Sequence, residues 1–206
     1  MIRLDFAQGS PEWAAARLGI PTASNFDKLI TAKTGKPSAS ATPYLHRKIA
    51  EWMLGVSLDE AVSSFMERGA DREAEAVAFY ELNREVDTEE VGIILRDDRL
   101  AGASPDRLVG ADGLLEIKCP AAHTHIGYLL GSVADDYRCQ IQGQLYITER
   151  AWCDSLSYCP GLPPALVRVE RDEAFISALS GAVDGFVERM LEARAEMIRR
   201  GYKEAA

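Results

Sequence analysis

Leu114-Leu115-Glu116-Ile117-Lys118-Cys119-Pro120 is an apolar run with an acid and a base set into it, ending at a proline. Such a run reads as a strand buried on at least one face, stopped where proline removes the next ladder N–H. It therefore commits the chain to a sheet with a core packed against it. Alternate residues of a strand point to the same face, so Glu116 and Lys118 project side by side while Ile117 turns into the core. Upstream, Ser104-Pro105-Asp106 brings a second carboxylate in from the neighbouring strand.

Two carboxylates that converge repel one another and are costly to desolvate, and a divalent cation is the usual reason a fold brings them together. A lysine beside them can hold a phosphate or an attacking water. The spacing by itself leaves two readings open, because in a chain with 27% charged residues an acid-x-lysine triplet behind an aspartate also arises by chance. In one, Asp106 is a turn residue and Glu116 and Lys118 are the solvated face of an edge strand. In the other they form the centre of a metal-dependent nuclease. The apolar neighbours Leu114, Leu115, Ile117 and Cys119 bury the strand and favour the second.

With 206 residues, 47% of them hydrophobic, the chain can bury a sizeable core, and a single domain over 1–206 is expected. No apolar run approaches the roughly 20 residues that a spanning helix needs. The segment Met1-Ile2-Arg3-Leu4-Asp5 lacks the apolar core of a signal peptide, so the expected location is cytoplasmic, with no membrane partner. Cys119, Cys139, Cys153 and Cys159 form no CxxC pair and read as buried free thiols. His46, His123 and His125 are too scattered for a zinc site, and the last two are expected to line a loop.

The net charge of -9 argues against a simple basic DNA-binding module but not against a nuclease. Residues 1–48 hold seven Lys/Arg against three acids, a balance of +4, which leaves -13 for the rest. Phosphate contacts need a local surplus of positive charge. They are expected mainly from this N-terminal quarter.

Ser10-Pro11-Glu12 has the form of a capped helix start, leading into a short helix over 13–18 that stops at Gly19. Thr22-Ala23-Ser24 caps a second over 25–30. Residues 31–42 read as a mobile loop whose two lysines could sweep across a substrate. Helices follow over 43–54 and 64–84, where apolar residues recur at spacings of three and four. Strands are expected over 91–96, 100–109 and 114–119, helices over 122–130 and 135–147, strands over 152–158 and 165–170, and a closing helix over 172–200. Strands flanked by helices on both sides imply an α+β fold with a central mixed sheet covered on two faces.

Two further stretches bear on chemistry. Arg68-Gly69-Ala70-Asp71-Arg72-Glu73 places an acid one turn beyond a glycine, and Tyr137, Gln140 and Gln144 share one helical face. The joint order is Arg-Gly-x3-Glu, Ser-Pro-Asp, Glu-x-Lys-Cys-Pro and Tyr-x2-Gln-x-Gln, preceded by Pro11-Glu12-Trp13-x3-Arg17-Leu18-Gly19 and Thr22-Ala23-Ser24 and followed by Val169-Glu170-Arg171-Asp172-Glu173. In that order the chain resembles the phage λ exonuclease family, the YqaJ-like viral recombinases. That family belongs to the restriction-endonuclease-like PD-(D/E)xK superfamily, and the resemblance spans nearly the whole chain.

The resemblance implies that Asp106, Glu116 and the carbonyl of Ile117 ligate Mg2+, with Mn2+ able to substitute. Lys118 would orient or activate the attacking water, Glu73 would support a second metal or its waters, and Gln140 would stand beside the reacting phosphate. Arg17 and Ser24 match positions that hold a terminal 5'-phosphate; the helical face carrying Tyr137 reads either as surface or as a polar wall facing phosphates. The family's helper arginine after the Lys-Cys-Pro segment is absent, and His123 and His125 stand there as candidates for DNA contact. The implied activity is 5'-to-3' digestion of one strand of linear duplex DNA, by a ring of three subunits that hands a 3' tail to a phage single-strand annealing protein. A site- or structure-specific endonuclease with the same centre and a non-catalytic recombination accessory protein are the alternatives.

Overall fold

The computed structural model describes residues 1–58, 64–131 and 136–202, with the backbone alone for 64–71. The chain begins with β1 (Ile2–Leu4), α1 (Pro11–Ala16), a 3-10 helix (Ala23–Lys28), α2 (Ala41–Leu54) and α3 (Ser64–Arg84). Short strands β2 (Thr88–Glu89), β3 (Ile93–Leu95), β4 (Gly102–Ala103) and β5 (Arg107–Val109) lead to β6 (Gly113–Lys118). Then come α4 (Ala122–Leu130), α5 (Arg138–Thr148), β7 (Trp152–Ser157), β8 (Ala165–Glu170) and α6 (Glu173–Arg199).

The central sheet has the order β2-β5-β6-β7-β8 and is mixed, because β6 and β7 pair in parallel while the other pairs are antiparallel. A parallel pair needs a long crossover. The segment containing α4 and α5 supplies it. Side chains alternate along β6 as its pattern requires. Leu115 and Ile117 pack with Val109, Leu156 and Ala76, Val77 and Tyr80 of α3. Leu114 joins the opposite cluster, with Cys153, Ile141 and Leu145 of α5 and Leu179, Val183 and Phe186 of α6. Each fully buried side chain of this size contributes about 1.5–3 kcal/mol, so both faces of the sheet carry core and the expected two-sided cover is present.

The strand expected over 100–109 is two strands in two sheets, since β4 belongs to a separate three-stranded sheet of order β1-β3-β4. The reason lies at Pro105, which has no N–H and cannot continue a ladder. There the chain leaves one sheet and enters the other. At two and three residues, β2 and β1 are too short for an alternating pattern to mark them.

Helix boundaries follow their caps. The Ser10 hydroxyl accepts from the N–H of Trp13 with Pro11 in the first turn, and the Asp172 carboxylate accepts from the N–H of Phe175. The second short helix is a 3-10 turn whose Thr22 makes no side-chain cap bond. Residues 31–42 are not a free loop. Ile30 bridges to Pro37, the N–H of Thr31 donates to Lys36 O at 2.9 Å, and Arg138 Nη1 donates to Ala32 O at 3.0 Å. The four cysteines are unpaired thiols, all but Cys119 buried. The start expected for α5 at Asp135 lies outside the described residues. Among those described, no helix is long and apolar enough to cross a membrane.

Candidate active site

The antiparallel register of β5 and β6 pairs Arg107 with Leu115 and Val109 with Gly113. Continued one residue, it sets Asp106 opposite Glu116, and directly opposed residues share a face with Cβ atoms about 5 Å apart. Continued two, it sets Pro105 opposite Ile117. The Lys118 carbonyl accepts from the N–H of Tyr158 on the β7 side, so the backbone groups of Ile117, one residue away, face the β5 side. Pro105 offers them no N–H. Its carbonyl accepts from Gln8 Nε2 at 2.9 Å, and the Asp106 carboxylate takes the Ile117 N–H at 2.6 Å. The Ile117 carbonyl is thereby left on the edge where Asp106 sits, with no ladder donor across from it.

Glu116 is 1% exposed and both carboxylate oxygens are engaged. Oε1 accepts from Lys118 Nζ at 2.5 Å and from Gln140 Nε2 at 2.5 Å, and Oε2 accepts from Gln144 Nε2 at 2.6 Å. Gln140 and Gln144 reach it together because residues four apart stack on one face of α5. Lys118 Nζ also lies 3.5 Å from Gln140 Oε1 and 4.5 Å from the centre of the Tyr137 ring. Tyr137 in turn packs edge-on to Tyr128, with the hydroxyls 3.2 Å apart.

Electrostatics reflect the crowding. Desolvation, then the Glu116 charge, hold the Asp106 carboxyl well above the ordinary carboxylate range, against the opposing pull of Lys118. Burial would lower the pKa of Lys118, but Glu116 and Asp106 outweigh it and raise it above the usual lysine value. Glu73 is also pushed up, chiefly by burial, with Arg107 opposing and Glu116 adding to the rise. It feels the centre but stands at its margin, lining a cavity of about 450 Å³ together with Gln8, Glu90, Gly92 and Arg107.

These donors suit a hard divalent cation: two carboxylates, one pushed up by burial and by the nearness of the other, and a carbonyl without a ladder partner. Among the described residues no three His, Cys, Asp or Glu side chains gather into a metal-binding group. The candidate set is the Asp106 and Glu116 carboxylates with the Ile117 carbonyl, with Glu73 at the margin.

On the N-terminal side, Arg17 lies over the Trp13 ring at 4.0 Å, and its guanidinium reaches the Ser24 and Ser104 hydroxyls at 3.5 Å each. The expected phosphate residues Arg17 and Ser24 are thus together, two residues along the chain from Asp106 by way of Ser104. The two histidines do not stay together. They lie on α4 rather than in a loop, where residues two apart point to nearly opposite sides. His123 is exposed. His125 is fully buried, with Nδ1 2.7 Å from Ser157 Oγ and Nε2 2.8 Å from Pro163 O, which corrects its expected role in DNA contact. Gln144 was expected only to share a face with Gln140; its hold on Glu116 requires the strand position that α5 packs over. The Trp13 indole, which donates to Ser104 Oγ at 3.0 Å and Gly92 O at 3.1 Å, has no local sequence signal at all.

The YqaJ-like viral recombinase domain matches residues 12–151 of the chain. The fold is similar to the crystal structure of an alkaline exonuclease from Laribacter hongkongensis, at 35% identity, TM-score 0.82, over 93% of this chain and 98% of that one. A structure of the same enzyme in complex with dAMP aligns over the same shares at TM-score 0.83. A phage related exonuclease from Haemophilus somnus 129PT shares the fold at 14% identity and TM-score 0.71, over 86% of this chain and 96% of that one. No curated protein sequence matches the chain.

Proposed function

The chain belongs to the YqaJ-like viral recombinase domain family, and on that footing we propose that it is a Mg2+-dependent exonuclease that digests one strand of linear duplex DNA from its 5' end. The product is a 3' single-strand tail for recombination by strand annealing. The observation that carries this reading is the meeting of Asp106, Glu116 and Lys118 at the end of β6. Resemblance to an alkaline exonuclease at 35% identity supports it.

Asp106, Glu116 and the Ile117 carbonyl would hold Mg2+, or Mn2+ in its place, and Glu73 would support a second ion or its waters. When bound, the ion would lower the pKa of a water molecule and offset charge on the phosphate and the departing 3' oxygen. Lys118, its pKa raised by the flanking carboxylates, keeps its proton into the alkaline range and presents positive charge where the transition state gains negative charge. Gln140 binds the same Glu116 oxygen as Lys118, so it orients both groups and borders the reacting phosphate. Gln144 anchors the second oxygen from the buried side. Arg17 and Ser24 would receive the terminal 5'-phosphate, and Tyr137 and His123 would border the path of the strand. Three copies would form a ring whose channel is lined by the N-terminal quarter with its balance of +4, and an annealing protein would take the tail.

The test is a mixture of linear duplex with 5'-phosphate, the same duplex with 5'-hydroxyl, and closed circular duplex. The phosphorylated linear form is expected to be digested fastest, from its 5' ends, and the circle to survive. Cleavage of the circle would favour an endonuclease and overturn the proposal.

A further inference from the structure

Residues 104–106 lie between β4, which ends at Ala103, and β5, which begins at Arg107, and belong to no ladder. Something other than sheet pairing must set where Asp106 stands. The Gln8 side chain supplies one hold: its Nε2 donates to Val91 O at 2.9 Å and to Pro105 O at 2.9 Å. Two carbonyl acceptors require the amide NH2 at that place, so the orientation of the amide is determined by its partners. Trp13 bridges the same two segments one residue along, through Gly92 O and Ser104 Oγ. The N-terminal segment is a double staple between 91–92 and 104–105.

We propose that Gln8 is a positioning residue for the metal centre: by holding the Pro105 carbonyl it fixes the bend that sets Asp106 opposite Glu116 and leaves the Ile117 carbonyl facing the same edge. If Gln8 releases it, the Pro105 carbonyl is free to turn to the Ile117 N–H opposite, as a ladder acceptor would, and Asp106 loses its aim at that N–H. Gln8 lines a cavity with Glu73, and its amide reaches the centre through Pro105, the neighbour of Asp106, rather than through a reacting atom. Groups that orient metal ligands typically govern metal affinity by about 10–100-fold.

This rests on the proposed metal centre, and the experiment separates the two. Mn2+ binding to the intact protein without DNA is measured by electron paramagnetic resonance, with Tm recorded in EDTA. The variants are Gln8→Met, which keeps length and removes the donor, and Gln8→Lys, which restores N–H donors of similar reach. Expected for Gln8→Met is Mn2+ affinity weaker by about tenfold or more, with Tm in EDTA near wild type and the preference for 5'-phosphorylated ends retained. Gln8→Lys should recover part of the affinity. Wild-type affinity in Gln8→Met, or a loss matched by an equal loss in Gln8→Lys, would overturn the inference. Absence of Mn2+ binding by the wild type would instead overturn the metal centre itself.

Discussion

Gly143 lies on α5 between the two glutamines that hold Glu116, and it is where α5 meets the 3-10 helix carrying Ser24. A Cβ added there would fall 2.5 Å from Phe26 Cδ2, 3.0 Å from Phe26 Cε2 and 3.3 Å from Ala23 Cβ. Carbon atoms rest at about 3.5–4.0 Å, so the ring must give by roughly 1 Å, and Phe26 is fully buried with no open side to move into. Overpacking of this kind costs about 1–3 kcal/mol, and the better helix propensity of alanine returns about 1 kcal/mol. Gly143→Ala should therefore lose up to about 2 kcal/mol, a fall in Tm of up to roughly 8 °C for a chain of this size. Because the 3-10 helix moves with Phe26, the contact between Arg17 and Ser24 loosens, and the rate preference for 5'-phosphorylated over 5'-hydroxyl duplex should drop. Gly181→Ala on α6 is the control, since a Cβ there meets nothing within 4 Å. It should gain about 0.5–1 kcal/mol. Urea unfolding of both variants, with initial rates on both ends, is the assay. Equal stability of the two would refute the close-packing argument, and an unchanged end preference would refute the link from α5 to Ser24.

Asp106→Asn keeps an acceptor for the Ile117 N–H but removes the charge that burial and Glu116 disfavour. An acid with a raised folded pKa binds more protons folded than unfolded, so the metal-free wild type loses stability as pH rises above about 4. Calorimetry in EDTA should find Asp106→Asn melting above wild type at pH 8 and by a smaller margin at pH 4; equal melting at both would contradict this origin of the shift. Lys48 and Glu51 form a buried pair at 2.8 Å, and Glu51 also accepts from the N–H of Gly19 and of Leu58. Lys48→Met should cost about 3–5 kcal/mol by leaving that carboxylate without its cation, and urea unfolding showing under 1 kcal/mol would refute it. His125→Ala should lower stability by about 1–3 kcal/mol as Ser157 and Pro163 lose their partner, with no change in end preference; a selective loss on phosphorylated ends would return His125 to the DNA path.

How much of this was legible depended on the range of the interaction. Helices α3, α4 and α6 were visible because apolar periodicity and caps are local, and α4 falls on the expected residues 122–130. Asp106, Glu116 and Lys118 were visible because strand alternation puts an acid and a base on one face, and the register then supplies the second acid. The split of residues 100–109 between two sheets was not, although Pro105 is its cause, since nothing in the sequence shows which sheet each half joins. The burial of His125 depended on the carbonyl of Pro163 and the hydroxyl of Ser157, both far along the chain. Gln8 and Trp13 act over more than ninety residues of sequence, beyond any local pattern.

Lys118 and the proposed cation beside it carry the chemistry assigned to this centre. Linear duplex with 5'-phosphates, incubated with wild type or Lys118→Ala, with Mg2+ or with EDTA, should be shortened from its 5' ends only by wild type with Mg2+. The variant should remain folded and still bind Mn2+. Digestion by wild type in EDTA, or by Lys118→Ala at the wild-type rate, would contradict the assignment of this centre.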